Sequence, residues 1–157
     1  MSYTGVAAPP GAGDRQSTGT PIPDPNDRLT RPFWQAANKG QLVIQQCQSC
    51  RTFHHPPVAL CPNCLSDRLE FAQVSGKGRV YSWAIIRDQR IAAFDSRIPY
   101  VVASVELDDA PGITLPSNMP GSSFDALRHG MPVEVVFEKI AEGVSIPQFR
   151  SIEKGSK

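Results

Sequence analysis

The stretch that decides the fold is residues 47–64, which read CQSCRTFHHPPVALCPNC. It contains two Cys-x2-Cys pairs, Cys47 with Cys50 and Cys61 with Cys64, and ten residues separate the pairs. Each pair can form a tight turn that points both sulfurs at one centre, and two such turns complete a tetrahedral S4 site with Zn–S distances of about 2.3 Å. Because protein ligands then fill all four positions, the site is closed and therefore structural. The spacing predicts a zinc ribbon that holds one zinc ion on these four cysteines.

Other roles for the cysteines explain the pattern less well. An iron centre of the rubredoxin type uses the same four ligands, but the sequence discloses no redox partner. A thioredoxin-like dithiol needs a single Cys-x-x-Cys pair at the start of a helix, and it leaves the second pair unexplained. His54 and His55 lie between the two pairs. Since four cysteines saturate the metal, we interpret them as surface or interface histidines.

The composition is typical of a folded protein without a strong electrostatic field. The chain has 157 residues and a formal net charge of +1, so its charge indicates neither nucleic acid nor an anionic membrane as partner. No apolar run approaches the ~18 residues that span a bilayer. Residues 1–10 have no basic start and no apolar core of a signal peptide. We therefore expect a cytoplasmic protein, in which paired cysteines indicate metal binding rather than disulfides.

The sequence divides into five parts. Residues 1–27 contain five prolines and four glycines with few large apolar side chains, a composition typical of disorder, and we expect a disordered leader there. A short helix is expected within 28–41, with Thr30 as its N-cap, Pro32 in the first turn and Gly40 after its end. The zinc ribbon should cover 42–68, a β-barrel 69–150, and a polar tail 151–157.

The second half of the chain has an almost wholly β pattern. Alternating residues predict strands at Leu69–Ser75, Val80–Ile86 and Tyr100–Leu107, with further strands after residue 113. In the second of these, Trp83 should face away from Val80. We expect Gly76-Lys77-Gly78 to form a hairpin turn and Asp108-Asp109 a solvated turn. Five short strands suggest an OB-fold, although an SH3-like barrel would give nearly the same pattern. The predicted fold class is mainly β: a short N-terminal helix, a rubredoxin-like zinc ribbon and a five-stranded OB-fold barrel.

Several stretches together resemble one known family. They are Arg31–Trp34, Leu42–Cys50, Pro56-Pro57 before Cys61–Cys64, Ser75–Ser82, Pro99–Ala103, Glu106-Leu107 and Pro147–Arg150. In this order they resemble the zinc-ribbon/OB-fold acyl-CoA-associated family, known as domain of unknown function 35, and the resemblance covers about residues 31–150. Many members carry Gly directly after the second and fourth cysteines. Here those positions are Arg51 and Leu65, so the turns at the cysteines are expected to differ slightly.

The resemblance implies a role beside a larger enzyme. Members of this family are small subunits of thiolase-like enzymes, among them acyltransferases and the retro-aldolases that shorten steroid side chains on CoA thioesters. Some are fused to, or bind, a hotdog-fold enoyl-CoA hydratase. The resemblance therefore implies a non-catalytic accessory subunit with structural zinc, a thiolase-like partner and contact with acyl-CoA. No nucleic-acid or membrane partner is expected, from the net charge and the apolar runs described above.

One loop is a candidate for contacts with a ligand or a partner. Arg87, Arg90 and Arg97 surround Phe94 between two central strands, near the face that an OB-fold uses for ligands. The arginines could meet CoA phosphates while Phe94 covers the pantetheine. Docking to a protein, or an ordinary surface loop, remains an alternative at this point.

No catalytic set is evident in the sequence. The cysteines are occupied by metal, and none of the three histidines follows a nucleophile motif. Two other functions compete with the accessory role. One is a nucleic-acid-binding zinc-ribbon/OB module, which lacks a basic face with interleaved aromatic residues. The other is a stand-alone acyl-CoA enzyme, which lacks an acid/base pair.

Overall fold

A computed structural model describes residues 21–87 and 92–153. The described elements are α1 (Arg31–Ala37), β1 (Val43–Cys47), β2 (Phe53–His54), β3 (Leu69–Gln73), β4 (Lys77–Ile86), β5 (Tyr100–Leu107), β6 (Ala110–Asn118), β7 (Pro132–Ala141) and β8 (Val144–Ser151), with 3₁₀ helices at Ala92–Arg97 and Phe124–Ala126. The predicted class, mainly β with one short N-terminal helix, is confirmed. Most of the predicted leader (1–27), part of the tail (151–157) and Arg90 lie outside the described residues.

The strands form two antiparallel sheets. A three-stranded sheet in the order β2-β1-β3 belongs to the ribbon, and a five-stranded sheet in the order β6-β5-β4-β7-β8 follows it. The larger sheet curls so that its edge strands β6 and β8 approach each other, a half-barrel that fits an OB-fold. The five predicted domain limits, with the ribbon at 42–68 and the barrel at 69–150, stay a prediction.

Helix α1 begins after a turn that Asp27 holds in place. The Asp27 carboxylate accepts hydrogen bonds from Thr30 N at 2.9 Å and Thr30 Oγ1 at 3.0 Å. Thr30 occupies the predicted N-cap position, but its side chain makes no capping hydrogen bond, because its hydroxyl is already bonded to Asp27. Pro32 lies in the first turn, and Gly40 follows the helix with φ +71°.

The main core lies inside the curled sheet, and strand β5 shows the alternation most clearly. Val101, Ala103, Val105 and Leu107 are buried, and the residues between them are half-exposed. In β4 a bulge between Val80 and Ser82 resets the alternation. Val80 opposes Val105 and Trp83 opposes Ala103, so Val80 and Trp83 share the inner face, and the prediction of opposite faces is wrong. Trp83 is nevertheless 38% exposed, because β7 pairs with β4 only at Lys77–Arg79.

The predicted hairpin turn at Gly76–Gly78 is also wrong. Lys77 and Gly78 belong to β4, and β3 and β4 lie in different sheets. These glycines serve close packing instead. A Cβ on Gly76 would collide with the Val135 side chain, and a Cβ on Gly78 would collide with the backbone oxygen of Glu106. The two glycines, which the sequence analysis read as a turn, instead mark positions where Val135 of β7 and Glu106 of β5 come close to the backbone.

Candidate metal centre and adjoining groove

The four cysteines form one cluster at the tip of the ribbon. Their sulfur atoms all lie within 4.8 Å of one another. Cys47 and Cys64 have sulfurs 3.6 Å apart, and so do Cys50 and Cys61. Cys47 and Cys61 are fully buried, whereas Cys64 is exposed. The ribbon thus brings together the four predicted residues in positions that fit a metal ion.

The two cysteine turns have the same hydrogen-bond pattern. In the first, Cys47 N donates to Thr52 O and Arg51 N donates to Cys47 O, both at 2.9 Å. In the second, Cys61 N donates to Ser66 O and Leu65 N donates to Cys61 O. The residue after each pair has a positive φ, 65° at Arg51 and 58° at Leu65. At these positions, therefore, a side chain takes the left-handed conformation that glycine adopts without strain.

The sulfur cluster favours a bound cation. A hydrogen bond with the Thr52 side chain, together with the Thr52 backbone, lowers the pKa of Cys50 to about 5. The Ser66 backbone hydrogen bond lowers the pKa of Cys64, but desolvation and the neighbouring thiols of Cys50 and Cys47 outweigh it and raise that pKa to about 12. Thiolates this close repel one another, so four of them ionise together only around a positive ion.

The ten residues between the pairs, 51–60, form what we call the ribbon loop. His54 in this loop is 8% exposed, and its Nε2 has no hydrogen-bond partner among the described residues. Of the two alternatives, surface or interface, the surface position is therefore wrong for His54, and the interface position stays a prediction. His55 packs against the Phe33 ring with 5.5 Å between ring centroids, and burial lowers the pKa of its imidazole.

Gln45 anchors the ribbon loop, a role that the sequence analysis missed. Its Nε2 donates to Val58 O at 3.1 Å, and its Oε1 accepts from Val58 N at 2.8 Å. Gln45 is only 5% exposed although it lies next to apolar positions in β1. The available signal for this role was a polar residue in an otherwise buried strand. A buried side-chain amide needs hydrogen-bond partners, so such a residue is expected to bind a neighbouring segment.

A groove of about 440 Å³ adjoins the ribbon loop, and we call it the apolar groove. Helix α1, the ribbon loop and strands β5, β6 and β8 form its walls. Its lining includes Phe33, Trp34, His55, Pro57, Val102 and Pro147. Trp34 and Phe33 form an edge-to-face pair, so both the buried ring and the half-buried ring support this wall.

The structure places the predicted loop residues near the end of β4, apart from Arg90, which lies outside the described residues. Arg87 is exposed directly after β4. Arg97 lies with its guanidinium carbon 5.8 Å from the Phe94 ring centre and forms an ion pair with Glu138 at 3.5 Å. Phe94 also faces Tyr100, with 6.2 Å between the ring centroids. Arg97 thus already has a carboxylate and an aromatic partner, while Arg87 is solvent-exposed.

The histidines do not form an acid/base site with a nucleophile in the described part of the chain. His129 Nδ1 lies 2.9 Å from the backbone oxygen of Tyr81, and neither His54 nor His55 pairs with a serine or cysteine there. No helix in the described residues is long and apolar enough to cross a membrane.

Two family models match the chain. The model described as "ChsH2, rubredoxin-like zinc ribbon domain" matches residues 34–70, and the model described as "ChsH2, C-terminal OB-fold domain" matches residues 72–138. A rubredoxin-like zinc ribbon followed by an OB-fold is thus the class of protein that the fold and the cluster define. Structural zinc is the cofactor that the ribbon model and the four cysteines support.

Individual relatives give the same result. A "DUF35 domain-containing scaffold protein" from Methanocaldococcus jannaschii is 32% identical over 121 residues, which cover 74% of this chain and 82% of that protein. A "Probable enoyl-CoA hydratase alpha subunit" from Thermomonospora curvata is 36% identical over 82% of this chain, which spans only 39% of that protein. A chain in a structure titled "Ltp2-ChsH2(DUF35) aldolase" has 33% identity and a TM-score of 0.74, with 82% of this chain and 98% of that chain covered. The present chain belongs to the DUF35 family, and its relatives' names support a scaffold or accessory role.

Proposed function

We propose that this chain is a non-catalytic accessory subunit of an enzyme complex that acts on CoA thioesters. The partner in this proposal is a thiolase-like enzyme, either an aldolase of the steroid side-chain retro-aldol type or an acyltransferase. A hotdog-fold hydratase is a further candidate member of the complex. The observation that carries the proposal is the similarity to the chain in the Ltp2-ChsH2(DUF35) aldolase structure, which this chain covers almost completely.

The non-catalytic half of the proposal is supported by the site. In this proposal Cys47, Cys50, Cys61 and Cys64 each give one thiolate to zinc, which leaves no open position for a substrate. The histidines in the described residues have no nucleophile beside them. Reaction chemistry therefore belongs to the partner.

The experiment combines an activity assay with a binding assay. The purified chain alone should show no turnover of acyl-CoA substrates, and it should form a stable stoichiometric complex when expressed with a thiolase-like enzyme of the same organism. Removal of the chain should lower the activity or solubility of that enzyme, and adding it back should restore them. Turnover by the lone chain, abolished by a point change outside the four cysteines, would show a stand-alone enzyme instead.

The loop residues Arg87, Arg90, Phe94 and Arg97 are the proposed contacts to acyl-CoA or to the partner. The double variant Arg90→Ala/Phe94→Ala separates these two uses. Loss of the complex would indicate docking, and an intact complex with a raised KM would indicate contact with CoA. Arg79→Ala is the matched control, because this exposed arginine lies near the opposite end of β4.

A nucleic-acid-binding module is the second function to test. Zinc ribbons and OB-folds both serve this role, but the net charge of +1 gives little attraction to phosphates. We expect no salt-dependent binding to single-stranded DNA. Binding that weakens steeply with added salt would favour this function.

A further inference from the structure

The chemistry of the apolar groove fits an uncharged occupant. Its described lining contains no aspartate, glutamate, lysine or arginine. His55 adds no positive charge near neutral pH, because burial holds the pKa of its imidazole below the usual value. A volume of about 440 Å³, with mainly apolar walls and a few polar groups such as Thr30 and Asn118, is in the range of small-molecule sites. A charged group would lose its hydration here and find no ionic partner.

The two strand edges beside the groove each lack a backbone donor at one position. Asn118 N in β6 and Phe149 N in β8 both point towards the opposite edge, where Gln148 Oε1 and Ser117 Oγ accept their hydrogen bonds. Residues two positions apart in a strand direct their backbone groups to the same side. The residues two positions earlier are Pro116 and Pro147, which have no N–H. An extended peptide would therefore find no backbone donors at these two positions, which favours a small molecule.

The ribbon-loop wall of the groove is held at its ends and by contacts with β1. Its two ends continue into Cys50 and Cys61, whose sulfurs are 3.6 Å apart. Between them, β2 pairs with β1, and the Gln45 amide holds both backbone groups of Val58. The groove residues His55 and Pro57 lie between these anchors. A metal ion on the cysteines would therefore hold both ends of this loop.

We propose that the apolar groove binds a neutral, largely apolar small molecule and that the metal centre holds its ribbon-loop wall in place. The proposal does not depend on the identity of the enzyme partner. It makes the groove a binding site and gives the zinc ribbon a role in shaping it.

The first test uses the neutral dye Nile red with the zinc-loaded full-length chain. We expect saturable binding at one site per chain with a blue-shifted emission, and at least about tenfold weaker binding of the anionic dye 8-anilinonaphthalene-1-sulfonate, because the groove has no cation. Val102→Glu should weaken Nile red binding about tenfold or more, since it puts a charge into the apolar lining. Ala84→Glu is the matched control and should bind as the wild type does. Ala84 is the exposed cross-strand partner of Val102 on the same face but is not part of the lining.

The second test addresses the metal. Chelation of zinc should abolish the saturable site, and added zinc should restore it. Trp34 and Trp83 are the two tryptophans of the chain, so Trp83→Phe leaves Trp34 as the reporter of the groove. Its emission should shift to the red on chelation. In Trp34→Phe, the Trp83 emission should stay unchanged, because Trp83 lies in the five-stranded sheet.

A third variant distinguishes the effect of the ribbon-loop wall on dye binding from the effect of zinc. Gln45→Leu removes both hydrogen bonds to Val58 but none of the sulfur ligands, so zinc content should stay at one per chain while Nile red affinity falls several-fold. Gln48→Leu, a change in the cysteine turn away from the groove, should leave the affinity unchanged. The proposal is overturned by absence of saturable Nile red binding, by equal binding in the Val102→Glu variant, or by a site that survives chelation. Binding that appears only after deletion of residues 1–20 would also overturn it, because the chain's own N-terminal segment would then be the occupant.

Discussion

The side-chain oxygen of Gln148 accepts a hydrogen bond from the backbone N–H of Asn118 at 2.7 Å, and this contact joins the two edge strands of the curled sheet. Ser117 reinforces the junction, since its Oγ accepts from Phe149 N at 2.8 Å. The Gln148 amide nitrogen donates to Glu138 in β7 at 3.2 Å. Gln148 is 3% exposed. The half-barrel is thus closed by side chains where no continuous strand ladder joins β6 to β8 in the described residues.

The first prediction concerns this junction. Gln148→Leu keeps the volume but leaves the half-buried Asn118 N–H without its acceptor, so the free energy of unfolding should fall by about 1–3 kcal/mol. Chemical denaturation in the presence of zinc measures the change. Gln73→Leu, on an exposed position of β3, should change it by less than about 0.5 kcal/mol. Equal effects of the two variants would contradict the role assigned to Gln148.

The second prediction concerns metal content. Protein from unsupplemented culture should contain close to one zinc per chain by elemental analysis, because the four sulfurs lie within 4.8 Å of one another. Cys61→Ser should lose the metal together with the ribbon fold, since a structural zinc contributes ~10–16 kcal/mol of apparent folding free energy in small zinc peptides. Ser49→Ala, beside a cysteine but not a ligand, should keep it. A metal-free chain with an intact ribbon would refute the zinc assignment.

The third prediction concerns the left-handed residue after the second cysteine pair. Leu65 is 77% exposed and has φ 58°, so Leu65→Gly removes backbone strain without loss of packing. We expect a gain of about 0.5–1 kcal/mol, which corresponds to roughly two- to fivefold tighter zinc binding in a competition assay with a chromogenic chelator. Leu60→Gly is the control: this exposed leucine has no positive φ, so the change should weaken the ribbon. Weaker zinc binding in Leu65→Gly would be inconsistent with strain at this residue.

The fourth prediction separates two neighbouring carboxylates. Asp108 and Asp109 form the exposed turn that the sequence predicted, and within it Asp109 accepts from Ser75 N at 2.6 Å and Ser75 Oγ at 2.9 Å. Asp109→Ala should cost about 1–3 kcal/mol of unfolding free energy, since it removes charge-assisted hydrogen bonds that link the β5–β6 turn to the entry of β4. Asp108 makes only an exposed ion pair with Arg79 at 3.8 Å, and Asp108→Ala should cost less than about 1 kcal/mol. Thermal or chemical unfolding of the two variants in parallel decides the matter.

The fifth prediction concerns pH. Burial lowers the pKa of His55 below its usual value of 6.5, so the unfolded chain binds this proton more readily than the folded chain. The free energy of unfolding should therefore decrease as the pH falls from 6.5 through the lowered pKa of the folded state. Protonation of the cysteines also makes the free energy of unfolding depend on pH. The test is therefore the difference between wild type and His55→Gln, and the variant should lose less stability over this pH range.

The sequence predicted the metal cluster and the positions of the strands along the chain because both depend on local patterns. A Cys-x2-Cys turn is determined by a few residues, and alternation within a strand is visible wherever one face is buried, as in β5. The predictions were wrong where a bulge or a neighbouring strand interrupts the local sequence pattern. The bulge after Val80 shifted the alternation by one residue, and the close approach of Val135 to Gly76 made a packing glycine resemble a turn glycine.

The sequence by itself determined the zinc ribbon, the mainly β class and the four cysteines, since spacing and periodicity carry that information along the chain. Only the tertiary structure decided which polar side chains close the barrel and anchor the ribbon loop, and that the apolar groove exists. Gln148 with Asn118, Gln45 with Val58 and His55 with Phe33 each join residues from different elements. Such pairs form only when chain folding brings the elements together, because buried polar groups must then find partners that local sequence does not specify.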